Sequence, residues 1–131
     1  MPTLYRHIIG LLVYLTNTRP DICFVVNMLS QYMVNPKYIH LIGEKHVMRY
    51  VKGTLDYGLR YASNGKIRLY GFIHSDWEGS SKYRYRTSEC CLSLGPGMMS
   101  WFCIKNTNIA LSTVEAEYIE ACSACNEAVW L

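Results

Sequence analysis

Two carboxylates and two sets of cations carry the chemistry open to this chain. Asp76 follows the alternating stretch Leu69-Tyr70-Gly71-Phe72-Ile73-His74. A carboxylate at the end of a buried strand is held by the sheet, which suits it to bind a divalent cation or act as a general base. The plain alternative is a strand that ends in a solvated polar turn at Ser75-Asp76. Glu117 lies two residues beyond Glu115, in the opening turns of a helix whose start is marked by Ser112-Thr113-Val114-Glu115. In that capping box, hydroxyl and carboxylate satisfy each other's backbone N–H groups. Lys45, Arg49 and Lys52 recur at i, i+4 and i+7 and share a helix face. Such a face can lie along phosphates through counterion release, or simply be solvated. In Lys82-Tyr83-Arg84-Tyr85-Arg86 the cations Arg84 and Arg86 alternate with aromatics able to stack on bases.

Composition narrows the classes these residues can serve. Of 131 residues, 50% are hydrophobic and 18% charged, which excludes a disordered tail and allows one modest domain or two incomplete ones. A net charge of +3 is compatible with a nucleic-acid partner without requiring one. The six cysteines, with Cys90 and Cys91 adjacent, do not form a secreted disulfide framework, and reduced intracellular thiols are expected. Cys122-Ser123-Ala124-Cys125 is a CxxC inside a predicted helix with no second pair, which argues against zinc. The apolar run Ile8–Leu15 lacks a small-residue cleavage site after it and is too short to span a bilayer, so it reads as a buried helix.

The elements that must position these residues fall into a helical and an alternating part. Helices are expected over 5–16, from Pro20 to about Met33, and from Ile39 to Val51. Pro20 and Asp21 suit the first turn of the second helix. Its stripe is Ile22, Val25, Val26, Leu29 and Met33, and Lys52-Gly53 would cap the third helix. From Asp56 the pattern alternates. A strand is expected over Tyr57–Tyr61, a turn at Ser63-Asn64-Gly65, and a strand from Lys66 to His74. A polar segment, Ser80–Ser88, follows. Further strands are expected over Cys90–Leu94, Met99–Ile104 and Thr107–Leu111, with Gly95-Pro96-Gly97 and Lys105-Asn106 between them. The last element is a helix from Thr113 onward, with Val114, Ala121, Cys122, Cys125 and Val129 on one face and Glu117 towards the sheet. The expected class is α+β: an N-terminal three-helix segment, then three antiparallel strands and a helix.

A carboxylate-bearing strand, two more strands and a helix presenting a Glu resemble the front half of an RNase H-like fold. There, carboxylates hold two divalent metals roughly 4 Å apart that activate water and stabilise the leaving oxygen of a phosphodiester. The residues extend the resemblance. Tyr5–Ile22, Arg49-Tyr50-Val51-Lys52-Gly53-Thr54-Leu55-Asp56-Tyr57-Gly58-Leu59, Ser75-Asp76-Trp77-Glu78-Gly79, Leu111–Ile119 and Ala128-Val129-Trp130-Leu131 are similar, in order and spacing, to segments of copia-type retrotransposon Pol polyproteins. The resemblance implies that residues 1–60 are the thumb-like helical end of a reverse transcriptase. Residues 66–131 would be the first half of an RNase H-like domain, whose first strand, normally central, would present an open edge. Mg2+ would be the parent family's cofactor. An RNA–DNA hybrid and the rest of the polyprotein would be its partners, and no membrane is expected.

The resemblance also implies a damaged site. The metal-binding Asp of the family's Asp-x-Asp-Trp corresponds to His74. Asp76 is retained, but its rescue of the site would move the carboxylate roughly 7 Å along the strand. Glu117 matches the helix carboxylate, and the third carboxylate belongs to a strand beyond Leu131. Glu89 replaces a Gly, at a cost if that Gly has positive φ, and Glu120 replaces an Ala. Such changes read as drift in a truncated, degenerate copy. The chain is therefore expected to have no nuclease or polymerase activity. The alternatives are a nucleic-acid-binding module using Lys45, Arg49, Lys52, Arg84 and Arg86, or a small secreted or recruited interaction protein that reuses the fragment.

Overall fold

Apolar residues at helical spacing near the N-terminus fold as α1 (Pro2–Leu15), with Tyr5, Ile9 and Leu12 buried. The structure, a computed structural model, describes residues 2–63, 68–76, 86–106 and 112–130. Among these are four α-helices and one three-stranded antiparallel sheet, an α+β protein. They fall into two compact units, Met1–Leu59 and Arg60–Leu131.

In the first unit a 3-10 turn (Pro20–Ile22) feeds α2 (Cys23–Ser30), and α3 runs from Tyr38 to Gly53. The core joins Tyr5, Ile9 and Leu12 to Ile22, Val26, Leu29 and Val47. Each fully buried aliphatic side chain contributes about 1.5–3 kcal/mol. The Tyr5 hydroxyl reaches through this core and donates to Leu29 O at 2.8 Å. Gly43 of α3 leaves room for Leu29 of α2, since a Cβ there would lie 3.0 Å from Leu29 Cδ2. The second helix stops at Ser30 rather than Met33. Beyond it the chain closes in tighter i+3 turns, Tyr32 N–H to Leu29 O at 3.1 Å and Met33 N–H to Ser30 O at 3.3 Å; Arg6 Nε donates to Met33 O at 2.8 Å, and Tyr32 stacks on His40 with centroids 3.8 Å apart. Val25, expected in the buried stripe, is 42% exposed. Gly53 is inside α3 rather than its cap; the cap is Thr54, with φ −130°.

A buried guanidinium ties the α1–α2 connection to the end of α3. Arg19, 6% exposed, grips Asp21 with two bonds, Nε to Oδ1 at 2.9 Å and Nη2 to Oδ2 at 2.7 Å. It also donates to Thr54 O at 3.0 Å and Thr54 Oγ1 at 2.7 Å. Tyr50 donates to Asp21 Oδ2 at 2.8 Å, and the guanidinium carbon lies 5.8 Å and 5.9 Å from the ring centroids of Tyr50 and Tyr57. The bonds from Arg19 hold the Asp21 carboxyl below its ordinary pKa. Tyr57–Tyr61 is not a strand: Tyr57 instead flanks this node, and Tyr61 donates to Met98 O at 2.7 Å.

The second unit holds β1 (Leu69–Asp76), β2 (Arg86–Leu94) and β3 (Gly97–Asn106) in the order β1-β2-β3. Gly95 has φ +64°, and Pro96 cannot follow it to positive φ. That combination fits a two-residue hairpin of type II′. Five boundaries differ from expectation. β1 begins at Leu69 and continues through Ser75-Asp76, β2 begins at Arg86 inside the segment read as polar, and β3 runs from Gly97 through Lys105-Asn106. Cross-strand pairing decides the ends at Asp76, Arg86 and Asn106, because Asp76 pairs with Thr87 and Arg86 with Asn106. The predicted turn at Asn64-Gly65 and the strand Thr107–Leu111 lie outside the described residues.

α4 (Thr113–Trp130) opens with Ser112 Oγ accepting from the Glu115 N–H at 3.2 Å. It covers one sheet face, where Cys90 and Leu92 pack with Ala124, Phe102 and Ala128. The expected packing stripe is overturned: Val114 and Val129 are 73% and 86% exposed, and Cys122 and Cys125 are exposed as well. Small Ala124 and Ala128 let the helix settle close to the sheet, and the bulkier stripe is left outside.

Candidate functional site

Register assigns each candidate to a face of the sheet. Ile73 pairs with Cys90 and Gly71 with Leu92, so the odd positions of β1 share the face covered by α4. A Cβ on Gly71 would lie 3.1 Å from Leu92 Cδ2, in agreement. His74 and Asp76 therefore occupy positions on the opposite face. His74 is exposed and pairs across the strands with Glu89. Glu117, expected to point at the sheet, is exposed. The structure does not bring Glu117 and His74 together on one face, and of Asp76 only the backbone position is described. Among the described residues no group of three His, Cys, Asp or Glu side chains is arranged to hold a metal ion.

The glutamate that α4 does bury is Glu120, 3% exposed, which accepts a hydrogen bond from Ser88 Oγ on β2. Two turns on, Glu127 accepts from Ser100 Oγ of β3 at 3.1 Å. Glu120 thus joins helix to sheet, a role the sequence reading missed. Its signal was positional, because Glu120 lies one and two turns before Ala124 and Ala128, the small residues that mark the packed face. Ser88, Cys90, Ile73 and Ser123 line a small cavity beside it. Burial raises the Cys90 and Cys91 thiols above their ordinary pKa, which makes them poor nucleophiles. Glu89 sits inside β2, and no described residue other than Gly has positive φ, so the feared backbone cost of replacing Gly there does not arise.

The cations are better placed for a surface role. Lys45, Arg49 and Lys52 are all exposed on α3, one line on one side of the helix. Arg84 lies outside the described residues, and Arg86 opens β2 with its side chain undescribed. The sequence reading also missed Glu44, which is 4% exposed and faces the first unit's core. Burial pushes its carboxyl above the ordinary value, and one carboxylate oxygen has no hydrogen-bond partner. No candidate helix is long and apolar enough to cross a membrane among the described residues.

Comparison with known proteins sets these surfaces in context. No family model matches the chain, and no solved structure matches it. The chain is 37% identical over 98% of its length to an uncharacterized mitochondrial protein of Arabidopsis thaliana, of which it spans 54%. It is 38% identical over 97% of its length to a secreted RxLR effector protein of Plasmopara viticola, of which it covers 90%. Over 99% of its length it is 36% identical to the retrovirus-related Pol polyprotein from transposon RE2 of Arabidopsis thaliana, covering 9% of that protein. Retrovirus-related Pol polyproteins of three transposons, RE1 and RE2 among them, are 33–36% identical to the chain along 97–99% of its length. The chain spans about half of the mitochondrial relative and about a tenth of the Pol polyproteins. Two stretches that carry the family resemblance, Arg19-Pro20-Asp21 and Lys52-Gly53-Thr54, meet at the guanidinium node, where the Arg19 fork needs both Asp21 and Thr54.

Proposed function

We propose that this chain is the junction of a copia-type Pol polyprotein and binds nucleic acid without cutting it. Residues 1–60 would be the helical end of the reverse transcriptase and residues from 66 the start of an RNase H-like domain, in an intracellular protein. The observation that carries this reading is similarity to transposon Pol polyproteins along 97–99% of the chain. The three-stranded antiparallel sheet with one covering helix is compatible with the front of an RNase H-like fold, and β1 stands at its edge.

The residues on hand do not fit the Mg2+ pair of the parent family. Mg2+ takes oxygen ligands in near-octahedral geometry. At the expected first-ligand position His74 offers nitrogen, on the sheet face away from α4. Nucleic acid would instead meet the exposed line Lys45, Arg49 and Lys52 through its phosphates. In a gel-shift titration an RNA–DNA hybrid should bind at low salt and lose affinity steeply with salt. Lys45→Glu/Arg49→Glu should weaken that binding at least tenfold. With Mg2+ present the hybrid should stay intact. Cleavage that disappears in Glu117→Gln would overturn the inactive reading, and no binding at low salt would overturn the nucleic-acid reading.

The relative of similar extent named as a secreted effector favours a second reading, a secreted interaction protein. It requires residues 1–18 to act as a signal. Expression in a secreting cell followed by N-terminal sequencing tests it, and an uncleaved N-terminus rules it out.

A further inference from the structure

We propose that two copies of this chain pair edge to edge, β1 against β1, in an antiparallel register centred on Phe72. Among the described residues β1 has a strand neighbour on one side only. Every residue from Leu69 to His74 is exposed, with Leu69 at 43%, Tyr70 at 47%, Phe72 at 64% and Ile73 at 42%. An apolar edge strand of this kind is a template for a further strand. The ladder to β2 decides which backbone groups are left over. Gly95 N–H donates to Arg68 O at 2.8 Å, which makes Arg68 and Gly95 a hydrogen-bonded pair one step before Leu69 and Leu94. Such pairs alternate along an antiparallel ladder, so Tyr70, Phe72, His74 and Asp76 turn their N–H and C=O groups to β2. Leu69, Gly71, Ile73 and Ser75 turn theirs outward.

A second β1 satisfies those outward groups when Gly71 stands opposite Ile73 and Leu69 opposite Ser75. The other positions follow: Phe72 meets its own copy, Tyr70 stands opposite His74, and Arg68 opposite Asp76. A shift of two residues either way leaves Leu69 or Ser75 facing beyond the end of the partner's strand, and it separates Arg68 from Asp76. The centred register is therefore self-complementary. It sets the exposed cation that precedes β1 against the carboxylate that ends it, and no like charges face each other. The Phe72 rings meet at the two-fold axis in a non-hydrogen-bonded pair, the kind in which side chains stand closer. On the face that α4 covers, Ile73 comes beside Gly71, where there is no side chain to displace. A strand paired with its own copy is an isologous contact, so it closes at two chains. The contact uses residues of the second unit alone and none of the cations proposed to meet nucleic acid.

Sedimentation of the full chain in reducing buffer without nucleic acid, over a dilution series, should show 15.1 kDa rising to twice that and no further. Residue-resolved hydrogen exchange over the same series reads the edge directly. As the dimer forms, the amides of Leu69, Gly71, Ile73 and Ser75 should gain about tenfold more protection than those of Tyr70, Phe72 and His74, which β2 already holds. Because position 72 meets itself, Phe72→Lys and Phe72→Glu should each weaken the dimer about tenfold. An equimolar mixture of the two should pair more tightly than either alone, Lys against Glu. Phe72 is exposed, and circular dichroism checks that both variants remain folded. A wild type that stays at 15.1 kDa, growth past the dimer, protection that does not separate the two sets of amides, or a mixture no tighter than its parts would each overturn the proposal.

Discussion

Replacing Arg19 by alanine tests whether the guanidinium node holds the first unit together. The substitution removes two bonds to a carboxylate and two to Thr54 from a side chain that is 6% exposed. Removing one partner of a buried ion pair costs about 3–5 kcal/mol. The Asp21 side chain is 34% exposed and regains some hydration, so the low end applies, about 3 kcal/mol. At about 1.4 kcal/mol per decade that is roughly a hundredfold. The first unit has no tryptophan, so fluorescence cannot follow it. Native-state hydrogen exchange at the amides of Ile9, Leu12 and Val47 can. Their protection should fall about a hundredfold in Arg19→Ala, and nearly as far in Arg19→Lys, since an ammonium cannot span Asp21 and both Thr54 oxygens at once. A fall of less than about threefold in Arg19→Ala would refute the node as the tie between α3 and the α1–α2 connection.

Two further outcomes follow from the buried and paired charges. The Glu44 carboxyl has a raised pKa in the fold, so the folded state holds its proton more tightly than the unfolded chain does. Its contribution is complete below the ordinary carboxyl value and is lost as pH rises through the raised one; hydrogen exchange in the first unit should show stability falling over that window in the wild type and not in Glu44→Gln. His74→Asp puts a carboxylate directly opposite Glu89, and like charges across a strand pair cost roughly 0.2–1 kcal/mol; urea titration followed by tryptophan fluorescence should show that loss, and its recovery when Glu89→Gln is added, with a neutral His74→Asp counting against the pairing.

The helical half was legible because helical periodicity and Pro punctuation are local. α1 and α3 lie within a few residues of their expected bounds. α2 stops at Ser30, short of the expected Met33, because the backbone there closes in i+3 turns at Leu29 O and Ser30 O instead of the α-helical ladder, a switch that apolar periodicity does not mark. Tyr57–Tyr61 is not a strand, β1 was ended two residues early, and β2 and β3 were drawn too short. Polar residues such as Ser75, Arg86 and Lys105 do not mark themselves as strand until a neighbour pairs with them.

The family and the identities of His74, Asp76 and Glu117 were fixed by the residues alone, since motif order and spacing survive without coordinates. Which of them meet was a matter of tertiary structure. Strand register, a period of two, sends His74 and Asp76 to positions away from α4. The close seat of Ala124 and Ala128 on the sheet turns Glu120 inward and leaves the bulky stripe outside, while Glu117, one turn before Glu120, is exposed. A helix with two apolar faces can bury either one. Only the partner surface decides which, because packing depends on the shape of both sides and the sequence of α4 records only one.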